Sequence, residues 1–416
     1  LVGSVAFAGF TGSANVDFAY DLDSTDYGFE NGTSAAIDVK FLEAIGEAKG
    51  EGDVYADISA SLSFSFANAD EGDLSATAPV TGLFILGDDD DNLVALYAKL
   101  RFNHAKIVGA DWSVGILGVL DPPNFATSAI DSTDVADDTN KWGYTNENDD
   151  IFADIDASEV LSTTDGIEVM YMGYTLGFGL NGNVDAGTYN IYGALTTPEY
   201  DLADGLKVSL GAAGFMSDVN KAASASVKAA FATDDYSASV AADMVYDNEE
   251  LDADVAIAAA YDVYTFDAYY ATKEMYDGTY TAPAVENLLS AEVGFTVDVF
   301  TITLTGLDLI NSQDLSASVA WAVNDALTVT VDGGYVIADE TMSFGGLVKY
   351  VADAYTATAE ADVTIDAAGD ADLELDFDVE TTTLIDGATL YAGYYAKNML
   401  TLDKLGKITV GVEIEF

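Results

Sequence analysis

Residues Ala371–Glu380 read ADLELDFDVE, and every second position is a carboxylate: Asp372, Glu374, Asp376, Asp378 and Glu380. Between them stand Leu373, Leu375, Phe377 and Val379. Successive side chains of a β-strand point to opposite faces, so this stretch has one acidic face, with acids about 7 Å apart, and one apolar face. Burying isolated carboxylates costs many kcal/mol each, so the acidic face must be wet. The apolar face then meets either a protein core or the hydrocarbon of a bilayer.

The pattern recurs along the chain. Just upstream, Ala357, Ala359, Ala361, Val363 and Ile365 alternate with a polar face carrying Glu360, Asp362 and Asp366. VYADISASLSFSF, residues Val54–Phe66, sets Ile58, Leu62, Phe64 and Phe66 against Asp57 and four serines. LVALYAKLRF, LKVSLGAAGFM, YSASVAADMVY, LDADVAIAAAYDV, LLSAEVGFTVD, LSASVAWAV, LTVTVDGG and KITVGVEIEF behave alike. Nearly all are long enough for a transmembrane strand, which needs ~9 to 11 residues. Short turns such as DDY at Asp234, DNEE at Asp247 and AAGD at Ala367 separate them. A hairpin spacing of roughly 11 to 13 residues predicts an antiparallel up-and-down meander.

The runs amount to about 20 strands, with a range of roughly 16 to 22. No linker or composition shift interrupts them and only 5 prolines occur, so residues 1–416 read as one domain. The count comes out odd unless IEVMYMGYTLGFGLNGN is a hairpin or the segment near Leu83 is an extra strand. FLEAIGEAK at Phe41 is the one short helix candidate, or else a turn. Three longer gaps, Asp21 to Thr33, Ala67 to Asp91 and Leu120 to Thr164, all follow odd-numbered strands, which puts them on one rim of an up-and-down sheet. The last begins near Pro122 and Pro123 and reads as a long external loop or one folded into the barrel.

Composition narrows the choice. Asp plus Glu number 72 against 14 Lys plus Arg, a formal charge of -58, which argues against a nucleic-acid partner. Charge of that size needs much wetted surface, as a water-filled lumen with acidic loops or a halophile's solvent shell would provide. Cysteine is absent, so disulfides and thiolate chemistry are excluded. No run approaches the ~18 apolar residues of a membrane helix, so any crossing is made with strands. Some twenty long strands would leave hydrophobic edges exposed unless the sheet closes on itself. The expected fold is therefore an all-β, closed, antiparallel up-and-down transmembrane β-barrel.

In KITVGVEIEF, Ile408, Val410, Val412, Ile414 and Phe416 share one face, with Thr409, Glu413 and Glu415 opposite. This resembles the closing strand of bacterial outer-membrane β-barrels, which typically ends in Phe and is read by the barrel-insertion machinery. Within that class the chain resembles the porin-like barrels. The resemblance implies a water-filled passive diffusion channel for small hydrophilic solutes, set in outer-membrane lipid, exported through a signal peptide and often trimeric. LVGSVAFA at the start, residues 1–8, resembles the tail of such a signal as well as it reads as a first strand. The 24 tyrosines fit the aromatic girdles of such barrels.

For a channel, the expected lumen acids are Glu360, Asp362, Asp366, Asp372, Glu374, Asp376, Asp378 and Glu380, and selectivity should favour cations. Lys99 and Arg101 share a polar face in YAKLRFN and are the expected lumen bases. Arg101 is the only arginine, so the arginine ladder that general porins set across their constriction has no counterpart here. The single histidine, His104, has no triad or zinc signature around it, and no phosphate loop occurs, so no enzyme is expected. No cofactor is expected either. GDDDDN, with Asp88, Asp89, Asp90 and Asp91, offers oxygen ligands to Ca²⁺ or Mg²⁺ but lacks EF-hand spacing, and a solvated loop tip is preferred. The rival reading from another class is a secreted acidic β-rich surface-layer or adhesive protein.

Overall fold

The computed structural model describes residues 10–25, 27–29, 34–43, 54–69, 83–86, 93–117, 123–127, 130, 166–183, 188–217, 221–247, 250–272, 287–385, 388–400 and 405–415. Those in regular structure are all strand. In chain order they are β1 (Phe10–Asp21), β2 (Tyr27–Phe29), β3 (Ser34–Glu43), β4 (Tyr55–Ala69), β5 (Leu83–Leu86), β6 (Leu93–Val108) and β7 (Trp112–Leu117). Then come β8 (Gly166–Tyr171), β9 (Tyr174–Asn183), β10 (Thr188–Thr196), β11 (Tyr200–Ala203), β12 (Leu206–Ser217), β13 (Lys221–Ala232), β14 (Tyr236–Asp247), β15 (Glu250–Tyr261) and β16 (Tyr264–Thr272). The remainder are β17 (Asn287–Val297), β18 (Phe300–Leu307), β19 (Asp314–Asn324), β20 (Leu327–Val336), β21 (Thr341–Val351), β22 (Thr356–Ile365), β23 (Ala371–Ile385), β24 (Ala388–Ala396) and β25 (Lys407–Glu415).

All 25 belong to one sheet, and every pairing is antiparallel. Three short segments do not add rows of their own. β2 shares an edge of β1 with β3, β5 shares an edge of β6 with β7, and β11 prolongs β10 along β12. The other 22 strands form the circuit, because β1 pairs with β3 on one edge and with β25 on the other, from Ser13↔Glu415 to Asp21↔Lys407. An even number of rows is what lets an all-antiparallel sheet close without a mismatched seam. Closure satisfies both outer edges and leaves no template for aggregation.

The 22 rows of the circuit lie at the top of the expected range, and both ambiguous segments prove to be strands. IEVMYMGYTLGFGLNGN is the β8–β9 hairpin, turning at Met172 and Gly173 with φ of 50° and 84°. The segment near Leu83 is β5. At FLEAIGEAK, residues 41–43 end β3 and the rest lie outside the described residues.

Following the antiparallel path, the strand ends Asp21, Ala69 and Leu117, which precede the three long gaps, all point to one rim. The opposite rim carries tight turns, including those between β15 and β16, at Asp262, and between β17 and β18, at Asp298, both with positive φ. The first residue of β1 and the last of β25 lie at this short-turn rim.

Candidate pore wall

Residues paired across a ladder share a face, so the register carries the alternation of each strand around the ring. The polar faces form one side of the wall, taken as the inner one, and the apolar faces form the other, where Val240, Leu304, Val331, Phe344, Phe377 and Val410 are all well exposed. Water-facing valines and phenylalanines in such number have no rationale in a soluble fold.

The acidic rows of β22 and β23 face each other directly. Glu360 stands opposite Asp376 and Asp362 opposite Glu374, while Asp372, Asp378 and Glu380 oppose threonines. The row widens to four strands at Gly345 of β21, which lies in register between Asp332 of β20 and Asp362. A Cβ at Gly345 would stand 2.5 Å from carboxylate oxygens of both Asp332 and Asp362, so glycine is what leaves room for these two acids to approach. Like charges opposed across strands are destabilising, and this wall keeps them by leaving them in water. Glu360, Asp378 and Glu380 are exposed, and Asp332, Asp362, Glu374 and Asp376 are half-buried.

Asp366 departs from its expected place in this row. It lies just beyond β22, in the rim turn, where its Oδ1 accepts hydrogen bonds from the amides of Ala368 and Asp370, each at 2.9 Å. It forms the turn between β22 and β23. Ile408, Val410, Val412 and Ile414 lie on the outward face of β25, with Val410 opposite Phe18 and Ala392. Phe416, residues 1–8 and Asp88 to Asp91 lie outside the described residues.

On β6, Lys99 and Arg101 register with Ser63 and Ser61 of β4, and His104 with Ser59. A basic group that the sequence reading passed over is Lys106, whose Nζ meets Glu168 Oε1 at 3.4 Å across Gly115 of the short strand β7. Among the described residues, no three His, Cys, Asp or Glu side chains group to hold a metal ion.

Within the long connection from β7 to β8, residues 123–127 lie on the inner wall of β12 to β14. Ser226 Oγ donates to the Pro123 carbonyl at 2.8 Å. The amides of Phe125 and Ala126 donate to Asp243 Oδ2 at 2.9 and 2.7 Å. Gly211, Ser226 and Asp243 form one register row, and it continues to Asp254 of β15, directly opposite Asp243. Both carboxylates are wholly buried, and Asp254 Oδ2 accepts from Tyr269 Oη at 2.9 Å. In the sequence, Asp243 and Asp254 were ordinary polar-face positions of YSASVAADMVY and LDADVAIAAAYDV.

The outer wall is edged with aromatic rings. Tyr174 with Tyr200, Phe231 with Tyr236, Tyr264 with Phe295, Phe300 with Trp321, and Tyr350 with Tyr355 pair beside the short-turn rim. On β14 the outward residues run Tyr236, Ala238, Val240, Ala242, Met244 and Tyr246, with tyrosine at either end. At ~3.3 Å per residue and a tilt of ~45°, those tyrosines are separated by about 23 Å of height, against an apolar band of ~25 Å in membrane barrels.

The class this fold defines is the closed, antiparallel, up-and-down β-barrel. No protein-family model matches the chain, and no curated protein does. Among solved structures it is similar to a variant of the porin of Rhodobacter blastica, at 12% identity over 59% of this chain and 98% of that one, with a TM-score of 0.34. It is also similar to the translocation pore of the P pilus usher PapC, at 8% identity over 98% of both chains, with a TM-score of 0.47. Likeness at this level transfers no function, which has to be argued from the wall itself.

Proposed function

We propose that the protein is an outer-membrane channel that passes small hydrophilic solutes by diffusion and prefers cations. The observation that carries this reading is the pairing of opposites through one sheet: Glu360, Asp362, Glu374 and Asp376 on the inner face, and Phe344, Phe377 and Val410 on the outer. A ring of 22 rows is too wide for side chains to fill, since barrels of ~16 strands or more enclose water. The apolar band edged with Tyr236 and Tyr246 matches a bilayer in height, which supports lipid as its solvent.

The mechanism is electrostatic. Carboxylates held face to face in a low-dielectric wall create a negative potential that concentrates cations and repels anions, and it weakens as salt screens it. No chemistry is performed on the solute. Lipid is the first partner, and the alternating outward face of β25 fits recognition by barrel-insertion machinery. A homotrimer and export through a signal peptide belong to the same reading.

The deciding experiment is the reversal potential of purified protein in a planar bilayer under a potassium chloride gradient. Discrete conductance steps with cation preference are expected. Anion preference would detach selectivity from the acidic rows. Folded protein that needs no detergent and never inserts would instead favour the secreted surface protein.

A further inference from the structure

The inner wall is wet on one side and dry on the other. On β10 to β17 the inward residues Tyr192, Phe215, Ala241, Asp243, Tyr269 and Leu288 are buried, although they face the lumen. On β19 and β22 to β23 the inward residues Ser316, Glu360, Asp378 and Glu380 are exposed. Residues 123–127 rest on part of that dry side, against β12 to β14.

Three features of the wall fit that segment and would be unfavourable without it. Asp243 is wholly buried, and a buried carboxylate persists only with donors, which the amides of Phe125 and Ala126 supply. Its cross-strand neighbour is another buried acid, Asp254, and like groups set directly opposite each other are unfavourable unless other contacts offset them. Gly211 is the third feature. A Cβ there would come within 2.3 Å of Pro123 Cβ, so the ring of Pro123 occupies the space that a side chain would need. Charge-assisted hydrogen bonds of this kind are roughly twice as strong as neutral ones, and these two converge on one oxygen.

We propose that Asp243 is a positioning residue that clasps residues 123–127 to the β12–β14 wall, seals that side of the lumen, and confines permeating cations to the acidic wall of β20 to β23. The proposal rests on the channel reading and adds an off-centre path to it. The amides of Phe125 and Ala126 both donate to Asp243, which ties the segment to β14. Loss of the clasp opens the dry side, widens the path and moves its centre away from the acids.

The chain has no cysteine, so single introduced cysteines report water access cleanly. Ala241→Cys probes the dry side and Ser316→Cys the wet side, each challenged with a charged methanethiosulfonate reagent in the full-length barrel. Expected is rapid reaction at Ser316→Cys and protection at Ala241→Cys. Adding Asp243→Asn should raise reactivity at the Ala241→Cys site several-fold, raise single-channel conductance and lower cation preference. Gly211→Ala, which displaces Pro123 without touching any charge, should act in the same direction. Should Asp243→Asn fail to fold, Gly211→Ala and Ser226→Ala carry the test. Unchanged conductance together with a still-protected Ala241→Cys in folded variants overturns the clasp. A parent protein that never conducts overturns the channel reading instead, and the cysteine arm still decides whether Asp243 holds the segment.

Discussion

Glu360 and Asp376 stand directly opposite each other on β22 and β23, two residues along the ladder from Asp362 and Glu374, which do the same on the same face. Two adjacent like-charge pairs lower stability, yet they produce a negative wall that spaced acids would not. The double change Glu360→Gln with Asp376→Asn should therefore separate the two effects. Reversal potentials should move toward zero preference, while the barrel gains roughly 0.2–1 kcal/mol, read from its unfolding midpoint in denaturant.

The outward face answers to a different solvent. Val410 is 53% exposed on β25. If lipid is what it meets, Val410→Arg should cost about 2–4 kcal/mol near the midplane, and Leu375→Arg on β23 should behave likewise. The measure is the fraction of protein recovered as the heat-modifiable folded band from membranes. Asp376→Asn, on the other face of β23, should leave that fraction unchanged.

Gly345 allows a finer test of the acidic row. Gly345→Ala inserts a methyl group between the Asp332 and Asp362 carboxylates, whose flexible ends can swing aside. Folding should survive. Cation preference should fall by less than in the double carboxylate variant, since the acids are displaced and not removed. Equal loss in both would mean that selectivity resides in this one pair.

Tyr269→Phe removes the hydroxyl that donates to buried Asp254 at 2.9 Å. Depriving a buried acceptor of a donor costs about 1–3 kcal/mol, which denaturant titration should register. Conductance should be nearly unchanged, because Tyr269 lies on the dry side of the lumen.

The barrel was legible because alternation is local: ADLELDFDVE contains its own evidence that one side is wet, and the same test works strand by strand. Short or irregular elements were harder. The β8–β9 turn uses Met172 and Gly173, outside the Asn-Gly and Asp-Gly pairs that mark hairpins, and β5 is only 4 residues long. Asp366 obeyed the period of its strand yet sits past the strand's end, because nothing in a period of two says where a carboxylate begins to cap a turn. Asp243 was invisible for another reason. What covers it comes from 118 positions away, and no local pattern distinguishes a lumen acid in water from one beneath a returning segment.

The seam between β1 and β25 has a kinetic implication. It joins Ser13 to Glu415, the most distant pairing along the chain, whereas nearly every other ladder joins sequence neighbours. Contacts of such separation form last, after loop entropy has been reduced by everything between them. Until then the growing sheet presents two unpaired edges, of 12 and 9 residues. Assembly of this barrel is thus a race between ring closure and edge-to-edge association, and variants that weaken the seam should first be recognised by the aggregates they form.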